Sequence, residues 1–151
     1  MDIASKSSAR LKDRVRTITR RNRGVSMERV ITELNAVLLG WGAYYRLTSF
    51  RNTLEGHDSW IRRKLRCYRL KQLKRSGTLY AYLVARGASR SEAARTASSG
   101  KGWWRLSRTS AVQKAMNSAR LARVGLISLS DRYLLFQRNE TAVRDIACPV
   151  V

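Results

Sequence analysis

The chain has 151 residues, 44% of them hydrophobic, which suffices for one domain or two small ones with a real core. Its 31 Lys and Arg against 10 Asp and Glu leave a formal charge of +21, where small soluble domains carry about 2–8. That excess excludes a surface of merely solvated mixed charge and calls for a polyanionic partner, nucleic acid first. No apolar run reaches the roughly 18 residues of a spanning helix, and the N-terminus has no signal-like apolar region. The expectation is therefore no membrane role and a cytoplasmic setting. Cys67 and Cys148 are too few and too distant for a disulfide framework or a zinc site, and His57 stands alone. A lone histidine of this kind is expected to be structural or at the surface. Arg outnumbers Lys, and guanidinium groups bind phosphate in two-pronged fashion and stack on bases, which suits structured nucleic acid.

In chain order, the spacing predicts an amphipathic helix over 3–21. Leu11, Val15 and Ile18 line its seam. Lys12, Arg16 and Arg20 form one basic row, and Arg10, Arg14 and Arg21 form another on the opposite flank. Gly24 ends it, after Arg23. Ser26 is the N-cap of a second helix reaching about Leu47, with Glu28 in its first turn. Along it Leu34, Val37, Leu38, Trp41 and Tyr45 make one apolar stripe. Gly40 and Gly42 flank Trp41, and each costs about 1 kcal/mol relative to alanine inside a helix, which predicts a neighbour passing close to the backbone there. Residues 48–57 read as a polar connection broken by Gly56. A third helix follows over 58–75, with Ile61, Leu65 and Tyr68 inward and Arg62, Arg66 and Arg69 as an outward ridge.

The second half is shorter in stride. Residues 78–86 form one brief helix stopped by Gly87, and Ser89 with Glu92 is a capping box opening a two-turn helix. The loop 98–102 delivers Trp103, Trp104 and Arg105. Thr109 or Ser110 starts a longer helix with Val112, Met116 and Ala119 inward, ended by Gly125. Ser128 and Asp131 begin a last helix carrying Leu129, Tyr133 and Phe136, and beyond Asn139 the chain is expected to fray as a disordered tail. No strand-like alternation of useful length occurs. The fold class is all-α: a small three-helix bundle followed by a short-helix extension.

Several blocks carry more than periodicity. Leu34-Asn35, Gly40-Trp41 and Tyr44-Tyr45-Arg46 follow one another in the second helix. Upstream lies the run from Arg16 through Arg23-Gly24-Val25-Ser26. Downstream come Asp58-Ser59-Trp60-Ile61-Arg62-Arg63-Lys64-Leu65-Arg66, then Gly100-Lys101-Gly102-Trp103-Trp104-Arg105-Leu106 and Gly125-Leu126-Ile127-Ser128-Leu129. In this order they resemble the maturase-specific domain, also called domain X or the thumb, of group II intron reverse transcriptases, with the tail of bacterial members. The resemblance spans roughly residues 2–136. It implies a thumb over 2–76, a C-terminal helical extension over 77–138 and a tail over 139–151.

The resemblance also implies function. Such a chain binds the intron's own structured RNA and helps it reach the fold that splices, the RNA performing the phosphoryl transfers. Its C-terminal part is associated with target DNA during intron mobility. The family's polymerase residues lie upstream of the matched block. No Asp-Asp pair is present to hold divalent metal, and one His with two distant Cys cannot build the endonuclease centre that some members append. The chain by itself is expected to be no enzyme and to need no cofactor.

What remains is binding. The candidate RNA contacts are Arg10, Lys12, Arg14, Arg16, Arg20, Arg21, Arg23, Arg46, Arg62, Arg63, Arg66, Arg69, Lys71, Lys74 and Arg75. Tyr68, Trp103 and Trp104 are candidates for stacking on unpaired bases. Trp41 and Trp60 are expected in the core, whereas adjacent Trp103 and Trp104 point about 100° apart on a helix and seldom both bury. The partners that follow are group II intron RNA, target DNA and a separate reverse transcriptase palm-and-fingers chain. Two other readings stay open: a non-catalytic subunit or remnant of a split or decayed reverse transcriptase, and a general basic nucleic-acid-coating protein.

Overall fold

The computed structural model describes residues 3–45 and 51–147, and among them all regular structure is helical. The elements are α1 (Ile3–Ile18), α2 (Met27–Tyr45), α3 (Arg51–Gln72), α4 (Ser76–Ala85), α5 (Arg90–Ala97), α6 (Trp103–Leu106), α7 (Ser110–Ala115), α8 (Ser118–Arg123) and α9 (Leu129–Ala147). No helix among the described residues is long and apolar enough to cross a membrane.

Two cores share α3. In the first, Leu11 and Val15 of α1, Val30, Leu34 and Leu38 of α2, and Leu54, Ile61 and Leu65 of α3 interlock. In the second, Leu70 at the end of α3, with Leu73 just beyond it, meets Leu79 and Leu83 of α4, Ala93 of α5, Leu106 of α6 and Val112 of α7. Leu121 and Leu129 come from far along the chain and belong to the first core. The C-terminal third thus closes back on the opening helices.

α3 starts seven residues earlier than its composition suggests, so the connection read over 48–57 is helix from Arg51 onward. The reason lies in which residues face inward. Leu54, His57, Asp58, Ile61, Leu65 and Tyr68 recur at helical spacing and all are buried, but two of those inward positions are polar and hide the stripe. Both are satisfied. His57 Nε2 lies 3.2 Å from Ser8 Oγ on α1. The Asp58 carboxylate, 4% exposed, accepts from Leu129 N–H and Ser130 N–H at 2.9 and 3.0 Å and from the Ser128 and Ser130 hydroxyls at 2.9 and 2.8 Å. An acid from α3 therefore caps the N-terminus of α9, where four N–H groups lack helical partners.

Asn35, on α2, does similar work on the segment between α8 and α9. Its amide nitrogen donates to Gly125 O at 2.7 Å and its oxygen accepts from Ile127 N–H at 3.0 Å. Gly125 sits at φ +107°, a left-handed conformation that side chains resist, with Leu126 N–H closing back on Leu121 O at 3.1 Å. Gly87, at φ +98°, ends α4 in the same way through Ala88 N–H to Leu83 O.

Other expectations are corrected. The long helix from Thr109 to Gly125 is two short ones, because Asn117 stops α7 and caps α8 by accepting from Arg120 N–H at 2.9 Å. Ala119 is accordingly exposed rather than inward. α9 continues to Ala147 instead of fraying at Asn139, for residues 139–147 contain no helix breaker, and Thr141 Oγ1 donates to Gln137 O.

No close approach explains the glycines of α2. Among the described residues, a Cβ at Gly40 would meet nothing within 4 Å, and one at Gly42 would only touch Leu129 Cδ2 at 3.5 Å. Trp41 between them is half-buried and ties α1 to α3: Nε1 donates to Ser7 Oγ at 2.9 Å, and the ring meets His57 edge-on at 5.8 Å. Ser26 caps α2 as expected, accepting from Arg29 N–H, and the Ser89–Glu92 capping box is formed in full.

Candidate nucleic-acid interface

α1 and α3 lie so that their basic rows border one groove of about 640 Å³. Arg16 of α1, Arg20 and Arg21 from the turn after it, Lys64 and Lys71 of α3, and Trp103 of α6 line it, and no carboxylate is among the residues that do. Arg16 and Lys64 also belong to a set of cations that lie on indoles. Lys12, Arg16 and Lys64 each lie 5.5–5.9 Å from the centre of the Trp60 ring. Lys64 also lies 5.4 Å from Trp104, on which the Arg63 guanidinium stacks at 3.6 Å. Burial, then the nearby Arg16 and Arg21 charges, push the Lys64 ammonium below its ordinary pKa, while the Cys67 thiol acts the other way. Apart from Arg16, which pairs with Asp13, the cations lining the groove have no ion-pair partner among the described residues, and such crowded like charges gain by taking up an anion.

The candidate residues divide. Arg10 and Arg14 are exposed on α1, and Lys74 and Arg75 are exposed beyond the end of α3. Lys12, Arg16, Arg20, Arg21 and Lys71 gather at or beside the groove, Arg16 also pairing with Asp13 at 2.9 Å. Arg46 lies outside the described residues. Four others already have work inside the fold. Arg23 grips Glu33 with two nitrogens at 2.5 and 3.0 Å and donates to Ile18 O at 2.7 Å, closing the turn between α1 and α2. That hydrogen-bonded pair holds the Glu33 carboxyl below its usual range. Arg63 donates to Ser107 Oγ and Trp104 O, at 3.1 and 2.8 Å, and Arg66 donates to Met116 O at 2.9 Å. Arg69 donates to Gln72 at 2.9 Å and reaches the Tyr82 ring.

The ridge Arg62, Arg66 and Arg69 is therefore half-covered by the C-terminal helices, not open along its length. Tyr68 cannot stack on a base: it is 2% exposed in the first core, and its hydroxyl donates to Val25 O at 2.6 Å. Trp103 and Trp104 split as adjacent helical residues should, Trp103 packing half-buried on the second core and Trp104 standing 41% exposed.

Lys64 is not among the expected contacts, and Trp60 is expected in the core, where it packs only half-buried. Their signal was available in the sequence: Trp60, Lys64 and Lys71 recur at helical spacing on one flank of α3. Cys67 is buried beside them with its thiol pushed up by burial, which leaves no nucleophile there. Among the described residues no group of His, Cys, Asp and Glu could hold a metal ion.

The described residues thus form an all-helical fold with cations and indoles gathered along one groove. Residues 8–86 match the group II intron, maturase-specific domain, and the chain belongs to that family. The match runs through α4, beyond the thumb boundary expected at 76. That domain is a non-catalytic part of the reverse transcriptase. No curated protein matches the chain.

Proposed function

We propose that the chain is an RNA-binding maturase element that grips structured group II intron RNA through the α1–α3 groove and assists its folding for splicing. The observation that carries this reading is the groove itself: five cations and an indole, with no acid among them, in a chain of the maturase-specific family. Phosphates enter the groove, and the exposed Trp104 edge offers a face to an unpaired base, worth about 1–3 kcal/mol if one stacks there. The protein supplies cation and shape, and the RNA supplies the reacting groups.

The test is equilibrium binding to a folded group II intron RNA and to a random duplex of equal length, at several salt concentrations. With six to ten phosphates contacted, affinity falls by roughly 10³–10⁵ between about 50 and 200 mM salt. Replacing Arg16, Arg20, Arg21 and Lys64 together with Gln weakens binding to the intron RNA and flattens the salt response. A flat response in the unaltered protein would sink the nucleic-acid reading. Equal affinity for the two RNAs would favour a general coating protein instead.

A further inference from the structure

α3 carries a second basic surface on its other side. Successive helical residues turn by about 100°, which sets Lys64 and Arg69 about 140° apart around α3. On the Arg69 side, α2, α3, α4 and α8 enclose a cleft of about 310 Å³. Four guanidinium groups line it: Arg69 of α3, Arg86 just after α4, and Arg120 and Arg123 of α8. Tyr82 stands between two of them, with Arg86 at 3.8 Å and Arg69 at 5.2 Å from its ring centre.

Stacking fixes a guanidinium by its flat face and leaves its N–H edge free to donate, the geometry that holds a phosphate with two parallel bonds. Among the described residues none of the four arginines forms an ion pair, although Glu28 lines the same cleft. Arg69 spends one nitrogen on Gln72, and Arg86, Arg120 and Arg123 make no side-chain hydrogen bond among the described residues. Four cations against the one carboxylate of Glu28 leave the cleft with an excess of positive charge that a further anion would offset.

We propose that this cleft binds the phosphate backbone of a second nucleic-acid segment, so that one chain clamps two segments on opposite sides of α3. The inference rests on the reading of the α1–α3 groove as a nucleic-acid site, and adds to it a site shared between the family-matched residues and α8 beyond them. A protein with two such faces brings together helices distant in an RNA sequence.

The experiment uses the full chain and two short RNA duplexes, one carrying a donor fluorophore and the other an acceptor. Binding of a single duplex is measured separately from energy transfer between the two. The unaltered chain binds one duplex and, at stoichiometric protein, brings both together. The variant Arg86→Gln/Arg120→Gln/Arg123→Gln keeps single-duplex binding through the groove and loses bridging by about tenfold or more. Each substitution also lowers the log–log salt slope of the second binding step by about 1. Arg123→Gln alone, at an exposed position, gives a partial loss with no burden on folding. Single-duplex binding without any energy transfer in the unaltered chain overturns the clamp while sparing the groove. Full bridging by the triple variant overturns it too, and failure to bind even one duplex overturns both readings.

Discussion

At the scale of single residues, polar groups on the buried face of α3 set conditions on stability. His57 is 5% exposed, against Ser8 and the Trp41 ring. Burial and then the Lys12 charge hold its pKa below the usual value, Asp58 acting in the opposite direction. The unfolded chain therefore binds the proton more readily than the folded one, and stability rises with pH. This contribution is complete above the unfolded pKa of about 6.5 and is lost as pH falls through the lower folded value. A thermal melt series should show the unaltered protein losing stability below about pH 6.5, and His57→Gln lacking that part of the loss. Parallel curves for the two would mean that His57 takes up its proton without cost in the fold. Gly40 offers a prediction of opposite sign. It is helical and exposed, and no described residue lies within 4 Å of where a Cβ would go, so Gly40→Ala should stabilise by about 0.5–1 kcal/mol in chemical denaturation.

At the scale of the element, α3 is the spine on which both cores and both basic surfaces are mounted. Leu65, at 0% exposure, belongs to the first core, and Leu65→Ala should cost about 2–5 kcal/mol. Arg66 is of interest because its role changes once the tertiary contacts are known. It ties α3 to the break between α7 and α8 by donating to Met116 O, and burial lowers its pKa. Arg66→Gln should therefore destabilise by about 1–3 kcal/mol, measured in urea, through an orphaned carbonyl. Arg62→Gln, which breaks no hydrogen bond recorded among the described residues, should cost much less. Equal effects of the two substitutions would remove the structural role assigned to Arg66.

At the scale of the whole molecule, the family-matched part and the remainder are joined through buried groups. Asn35 and Asp58 lie within residues 8–86, yet their partners are Gly125, Ile127 and the first turn of α9. Leu121 and Leu129 complete the first core from outside the match. A chain cut after Arg86 would leave the Asp58 carboxylate without its four donors and the first core without Leu121 and Leu129. Its thermal unfolding should be broader and the midpoint lower by well over 10 °C, since a loss of a few kcal/mol moves the midpoint of a small domain by about 4–8 °C per kcal/mol. A midpoint equal to that of the full chain would show that the matched part is stable by itself.

The all-α class, most helix positions in the first 45 residues, the Ser89 capping box and the large positive charge were legible from periodicity, cap residues and composition, which are local or compositional properties. Leu11, Val15, Leu34, Leu38, Ile61 and Leu65 are buried as their spacing requires. Three features were decided only in three dimensions. The start of α3 was masked because His57 and Asp58 occupy inward positions, and only Ser8 and the α9 terminus make those polar groups affordable in a core. The roles of Arg23, Arg63 and Arg66 turned on carbonyls and carboxylates at 5 to 50 residues' separation, which no spacing along one helix reveals. The groove, finally, exists because α1 and α3 pack at a register that brings Arg16 beside Trp60 and Lys64. The sequence by itself determined how much positive charge the protein carries; the packing of its helices decided where that charge is left free for an anion and where it is spent on holding the fold.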